Sequence, residues 1–270
     1  IYRGTEVKLV EGPHLYKIKG YYYLFVAQGG TVWTHQEVVA RSHTLDADTF
    51  VTEPGEPFIT NFDTPDFALQ KQGHGSLVET PGGEWYYASL VGRPWHHANE
   101  SDWDPRGWCT LGRETSIQQV TWDEQGWPRV VGGTGGQLEV DAPKDAILTN
   151  APIDHSRYDD FSLTSLDAEW NTLRLPFTEK MGHCGNGELQ LIGHGSLAST
   201  MDVSLIAGRW QAFSFDAETK VSFVPWNYQQ MAGLTNFYND KHWSWIFVTF
   251  DENRKKRVIE IAENNRGHYT

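Results

Sequence analysis

The run Glu11-Gly12-Pro13-His14-Leu15-Tyr16-Lys17-Ile18-Lys19-Gly20-Tyr21-Tyr22-Tyr23-Leu24-Phe25-Val26 carries the reading of the fold. Aromatic and aliphatic residues dominate both halves, which suits a pleated surface. Lys19-Gly20 divides them and signals a tight turn. The spacing predicts a β-hairpin with arms at residues 14–18 and 21–26. A second hairpin is predicted from residues 75–79 and 84–90, around Thr80-Pro81-Gly82-Gly83. A weaker third runs through residues 114–122 and 127–131, around Asp123-Glu124-Gln125-Gly126. Hairpins recurring at intervals of roughly 40 to 60 residues predict blades of a β-propeller, and a plain β-sandwich would carry the same local pattern. No segment holds helical periodicity.

Past residue 140 the texture changes. Asp141-Ala142-Pro143-Lys144, Ala151-Pro152 and Ser156-Arg157-Tyr158-Asp159-Asp160 are rich in Pro, Asp and small residues, as linkers are. Short alternating runs follow at residues 189–192, 211–215, 220–223, 232–238, 245–250 and 257–261, a pattern suited to an antiparallel sandwich. The expected organisation is all-β: propeller blades over 1–145, a linker over 146–160 and a β-sandwich over 161–270.

Bulk composition narrows the function classes. The 270 residues carry a formal charge of −13, which repels phosphate backbones and argues against nucleic acid as a partner. A neutral sugar meets no such barrier. Aromatic residues make up 13% of the chain, with 12 Trp and 11 Tyr. Such rings fill β-rich cores and also stack on sugars. No apolar run is long enough to span a bilayer as a helix, so no membrane partner is expected. Cys109 and Cys184 are the two cysteines, far apart and in no metal-ligand spacing. They point to a reducing compartment or to redox indifference, which favours the cytoplasm over secretion without deciding it.

Three polar residues stand at strand mouths. Glu11 precedes Gly12-Pro13 at the first hairpin, His74 lies between Gly73 and Gly75 at the second, and Arg113 precedes Glu114 at the third. Each has an ordinary explanation: a turn carboxylate, a structural histidine, a surface ion pair. Their comparable places in successive repeats point instead to a shared channel, because propeller sites are assembled from the inner-strand ends of several blades.

The ordered set Glu11-Gly12-Pro13-His14-Leu15-Tyr16-Lys17, Gln28-Gly29-Gly30-Thr31, Val39-Ala40-Arg41-Ser42, Gly73-His74-Gly75-Ser76, Leu111-Gly112-Arg113-Glu114-Thr115 and Trp127-Pro128-Arg129 resembles glycoside hydrolase family 43, in its two-domain β-xylosidase branch. Trp170-Asn171-Thr172, Arg209-Trp210-Gln211 and Gln229-Gln230-Met231-Ala232-Gly233 resemble that branch's C-terminal concanavalin-like sandwich. The resemblance implies a five-bladed propeller with a sandwich, and inverting exo-hydrolysis of β-1,4-xylooligosaccharides or aryl-xylosides. It makes Glu11 the general acid and gives Arg113, His74 and Thr31 to substrate binding. It requires no cofactor and assigns no metal ligand, although a divalent cation such as calcium near His74 stays open. A homo-oligomer stays open too.

The family's general base and auxiliary Asp precede the Glu-Gly-Pro motif, so both are expected upstream of Ile1. About 150 residues cannot supply five four-stranded blades. The chain therefore reads as a fragment cut at both ends and inactive alone. Should it prove active, Asp63, Asp66 and Asp104 are the reserve bases. An α-L-arabinofuranosidase on the same scaffold, and a non-catalytic xylooligosaccharide-binding β-module, are the competing readings.

Overall fold

A computed structural model describes residues 9–55, 57–96, 106–147 and 156–270. The chain divides into two compact units, Ile1–Pro152 and Ile153–Thr270. Among the described residues the regular structure is β-strand apart from one short 3-10 turn, Ala47–Thr49, and no helix is long and apolar enough to cross a membrane.

In the first unit β1 (Val10–Ile18) and β2 (Tyr21–Gln28) form the expected hairpin. Its turn residues Lys19 and Gly20 have φ of 48° and 87°, the two positive values that a twisted two-residue turn requires. β3 (Gln36–Ser42) pairs with β2, and β4 (Val51–Thr52) and β5 (Ile59–Thr60) share its other edge. The second sheet runs in the order β6 (Gln70–Glu79), β7 (Trp85–Gly92), β8 (Glu114–Trp122), β9 (Pro128–Val130). These are two antiparallel blades of a partial propeller. The second and third hairpins are therefore one blade, because β7 pairs with β8 as well as with β6. Hairpin counting overstates the blades wherever a meander continues past its second strand.

The blades meet through Tyr23, Phe25, Val39, Phe58 and Ile59 on one side and Leu77, Tyr87, Val120 and Val130 on the other, all buried. Such burial is worth about 1.5–3 kcal/mol for each large side chain. Phe25 and Tyr87 stack with centroids 6.1 Å apart, and Phe58 meets both edge-on. An ion pair crosses the same junction: Arg129 of β9 bonds the buried carboxylate of Glu53 and reaches Asp123 at 2.9 Å. Arg129→Gln withdraws the guanidinium from a buried charge and is expected to cost about 2 kcal/mol, allowing for the partial exposure of the arginine, read as a lower urea midpoint.

In the second unit β10 (Asn171–Thr172) pairs with β13 (Ile206–Ala207), and β11 (Gly182–Gly185) with β12 (Glu188–Leu191). A meander of β14 (Ala232–Asn239), β15 (His242–Asp251), β16 (Lys256–Asn265) and β17 (His268–Tyr269) forms the main sheet. Residues 211–215 and 220–223 are not strands. Their alternation is strand-like, but Phe213, Phe215 and Val221 stand exposed, and β propensity counts only where a strand has a sheet to join. Of the expected linker, residues 148–155 lie outside the described residues. Asp159 accepts the Trp170 indole N–H at 2.7 Å and so packs with the second unit. Cys109 and Cys184 are not joined in a disulfide.

The main sheet buries one face, where Trp243 and Phe237 pack with Leu197, Val203 and Leu205. Register puts Leu234, Ile246 and Ile261 side by side on the other face, with Val248 beside Ile259. Ile259 and Ile261 are 71% and 70% exposed. The double change Ile259→Thr/Ile261→Thr keeps strand propensity and removes the apolar stripe. It is expected to lower the fluorescence of a bound hydrophobic dye while shifting stability by less than about 0.5 kcal/mol.

Candidate active site

Glu11 and His74 both sit on blade-edge strands that bulge. β1 slips register between Glu11 and His14, and β6 slips on both sides of Gly73. Bulges re-aim side chains near a sheet edge. The bulges interlock, since a Cβ on Gly12, at φ 58°, would stand 2.4 Å from His74 Nε2. Only glycine lets the imidazole lie there. Two cross-blade bonds hold the strands together: the Leu77 N–H donates to the Tyr16 hydroxyl at 2.9 Å, and Ser76 Oγ bonds His14 Nδ1 at 3.3 Å. The outcome brings His74 Nδ1 to 3.9 Å from Glu11 Oε1.

His74 itself has φ 55°, strained for a non-glycine residue. Its backbone is held by Glu37, whose buried carboxyl accepts the His74 N–H at 2.7 Å. Burial pushes the Glu37 pKa from its ordinary 4.5 to about 8, against the pull of the Tyr87, His74 and Gly75 donors. The Tyr87 hydroxyl lies against this carboxyl short of a well-formed bond, and is itself pushed far up by burial and by Glu37. Glu37 therefore keeps its proton at neutral pH and cannot activate water as an ionised base.

His35, just before β3, completes the cluster. It is fully buried, and its Nδ1 lies 2.9 Å from the Lys71 carbonyl. A carbonyl only accepts, so Nδ1 carries the proton and Nε2 keeps a bare lone pair. Nε2 is buried with no hydrogen-bond partner. Burial lowers the His35 pKa, and the charges of Arg113 and His74 act in the same direction, while the Lys71 carbonyl and Glu11 oppose them. One ligand atom each from Glu11, His35 and His74 lies within 4.8 Å of the others.

The expected site residues fall out unequally. Glu11 and His74 converge. Arg113 is exposed ahead of β8, the third strand of its blade, so its place does not match the first-strand places of Glu11 and His74. Its charge still reaches His35. The adjacent Glu114 is taken by Arg93 in a two-pronged pair at 2.8 and 2.9 Å, so Arg113 is not spent on its sequence neighbour. Thr31 stands exposed on the turn after β2, which is tied to the entry of β1 by the Gly29 N–H donating to the Leu9 carbonyl at 3.1 Å. Asp63 and Asp66 are exposed on the loop before β6, and Asp104 lies outside the described residues. The Glu11 side chain is half exposed, so the described residues do not enclose it. Sequence reading missed His35 and Glu37. The signal for Glu37 was a carboxylate directly beside the apolar run Val38-Val39-Ala40.

Residues 1–128 match the family described as Glycosyl hydrolases family 43, and residues 158–270 match the Beta xylosidase C-terminal Concanavalin A-like domain. The chain belongs to glycoside hydrolase family 43. A beta-xylosidase of Bacillus subtilis is 44% identical over 97% of this chain and 49% of its own length. Xylosidase/arabinosidase 43B of Humicola insolens is 36% identical over 97% of this chain and 47% of its own. The crystal structure of xylan beta-1,4-xylosidase from Bacillus halodurans C-125 superposes with a TM-score of 0.84 at 40% identity, over all of this chain and 50% of that one. The chain spans about half the length of the curated relatives it matches.

A raised carboxyl pKa means that the folded family 43 unit grips the Glu37 proton more tightly than the unfolded chain does. The associated stability is complete below pH 4.5 and is lost as pH rises toward about 8. Glu37→Gln keeps a carbonyl acceptor for His74 and cannot ionise. The expected result is a flatter urea-midpoint curve than wild type across that window, and parallel curves would reject the assignment.

Proposed function

We propose that this chain supplies the acid half of an inverting exo-β-xylosidase, with Glu11 as the proton donor to the leaving oxygen. The observation that carries the reading is the meeting of Glu11 and His74 on interlocked bulges at the edges of two blades. The names of the xylosidase relatives support the substrate class. Inversion needs a second carboxylate roughly 6.5–9.5 Å away, with a water between it and the sugar. The chain spans about half the length of its xylosidase relatives, and in this reading that carboxylate belongs to the longer protein. In the longer protein Glu11 protonates the glycosidic oxygen, Arg113 directs its fork of N–H donors at the sugar hydroxyls, and His74 floors the site. Thr31 borders the substrate from the turn after β2. The substrate is a xylooligosaccharide or an aryl-xyloside, and a surface of net charge −13 accepts such a neutral ligand.

A second reading is favoured by one observation: the Humicola insolens relative is named for both xylosidase and arabinosidase activity. Side-by-side rates on the nitrophenyl β-D-xylopyranoside and α-L-arabinofuranoside decide between them.

The test compares this chain with the longer protein that includes the upstream blades. The longer form is expected to hydrolyse xylobiose, and the isolated chain to fall short by at least about 100-fold. Glu11→Gln in the longer form is expected to lose a similar factor. An undiminished Glu11→Gln enzyme on xylobiose removes Glu11 from the role.

A further inference from the structure

Trp33 stands partly exposed on the turn between β2 and β3, two residues after Thr31 and two before His35. The Gly29 bond to Leu9 ties that turn to the entry of β1, so it lies at the Glu11 end of the first blade. Two cations stand over the Trp33 indole, Lys71 Nζ at 4.0 Å from the ring centroid and the Arg106 guanidinium at 5.9 Å. Arg106 also lies 5.0 Å from the Phe62 ring and donates to the Phe62 carbonyl at 2.7 Å. Lys71 falls inside the register slip of β6 between Gln70 and Gly73, with φ of 59°. Its carbonyl holds His35 while its side chain lies on Trp33, so one left-handed residue serves both the site and its rim. Among the described residues Lys71 is in no ion pair. An aromatic face holds an ammonium without neutralising it, as a carboxylate would.

We propose that Trp33, Lys71 and Arg106 form a subsite for a carboxylate on the leaving-group side of the substrate, the group carried by a uronic acid branch on a xylooligosaccharide. The sugar part of this inference rests on the xylosidase reading; the charge part does not. In that reading Glu11 faces the leaving oxygen, so the turn beside it borders the sugars beyond the scissile bond. A plain xylooligosaccharide has no charge for the ammonium to meet. An acidic branch does, and on a chain of net charge −13 it needs a local cation to be accepted. The opposing charges are Asp63 and Asp66, exposed on the loop that follows Phe62. Phe62, exposed beside Arg106, offers a ring to the apolar side of the branch sugar.

The experiment compares two probes that differ only in charge. One is xylotriose with a glucuronosyl branch on its middle residue, and the other is the same oligosaccharide with the branch carboxyl reduced to an alcohol. Dissociation constants are measured by calorimetry in the longer protein carrying Glu11→Gln, which slows turnover of both. The acid is expected to bind about fivefold tighter than its reduced twin at low salt, and the advantage to shrink as salt rises. Lys71→Met keeps the backbone carbonyl on His35 and an apolar stem on Trp33. Added to the same protein, it is expected to bring the two probes within about twofold of each other. Equal affinity of the two probes, no binding of either, or an advantage that survives Lys71→Met overturns the subsite. Failure of the xylosidase reading shows elsewhere, as xylobiose left intact by the longer protein with Glu11 in place. A Lys71-dependent preference for the acid found together with that result keeps the carboxylate subsite and removes only the xylosidase.

Discussion

One hydrogen bond, from the His74 N–H to the buried carboxyl of Glu37, joins the two blades at the candidate site. Glu37 belongs to β3 of the first blade and His74 to β6 of the second. The bond fixes a left-handed residue in the middle of a strand, a conformation that costs of order 1–3 kcal/mol and persists only where its surroundings over-determine it. Burial keeps the carboxyl protonated, so the junction holds a neutral acid instead of an uncompensated charge. Gly12, Tyr87 and Gly75 then fit around that point: the imidazole occupies the room left by Gly12, and the Tyr87 ring that left by Gly75.

The same junction shows why the site needs two blades and is placed at their edges. Edge strands have one side free of ladder bonds, so a bulge there displaces a side chain without breaking a pairing on the far side. β1 and β6 are both edge strands, and both bulge where Glu11 and His74 emerge. The aromatic core behind them, from Tyr23 through Phe25 and Phe58 to Tyr87, sets the distance between the blades. The stack therefore governs the separation of Glu11 and His74 as surely as their own side chains do.

Much of this was legible in the chain. The first hairpin followed from its β-rich arms and its Lys19-Gly20 turn, because turn chemistry is local. Glu11 and His74 were visible from the glycines beside them, which mark backbone that approaches another group closely. Among the described residues the third hairpin is part of the second blade, since a turn signal says where a strand ends and not which neighbour the next strand joins. Residues 211–215 and 220–223 fail as strands for the same reason.

By itself the sequence determined much of the local geometry, the hairpin arms and their glycine turns, together with the ordered motifs that mark family 43. Only the tertiary structure decided which side chains share a site. His35 lies 24 residues after Glu11 and 39 before His74, as their numbers show, and no spacing rule connects the three. Their meeting depends on β6 packing across β1 and β3, a long-range arrangement that side-chain type does not encode one strand at a time. The protonation of Glu37 is of the same kind. A glutamate is a solvated charge in the chain and a neutral acid only once the second blade has covered it.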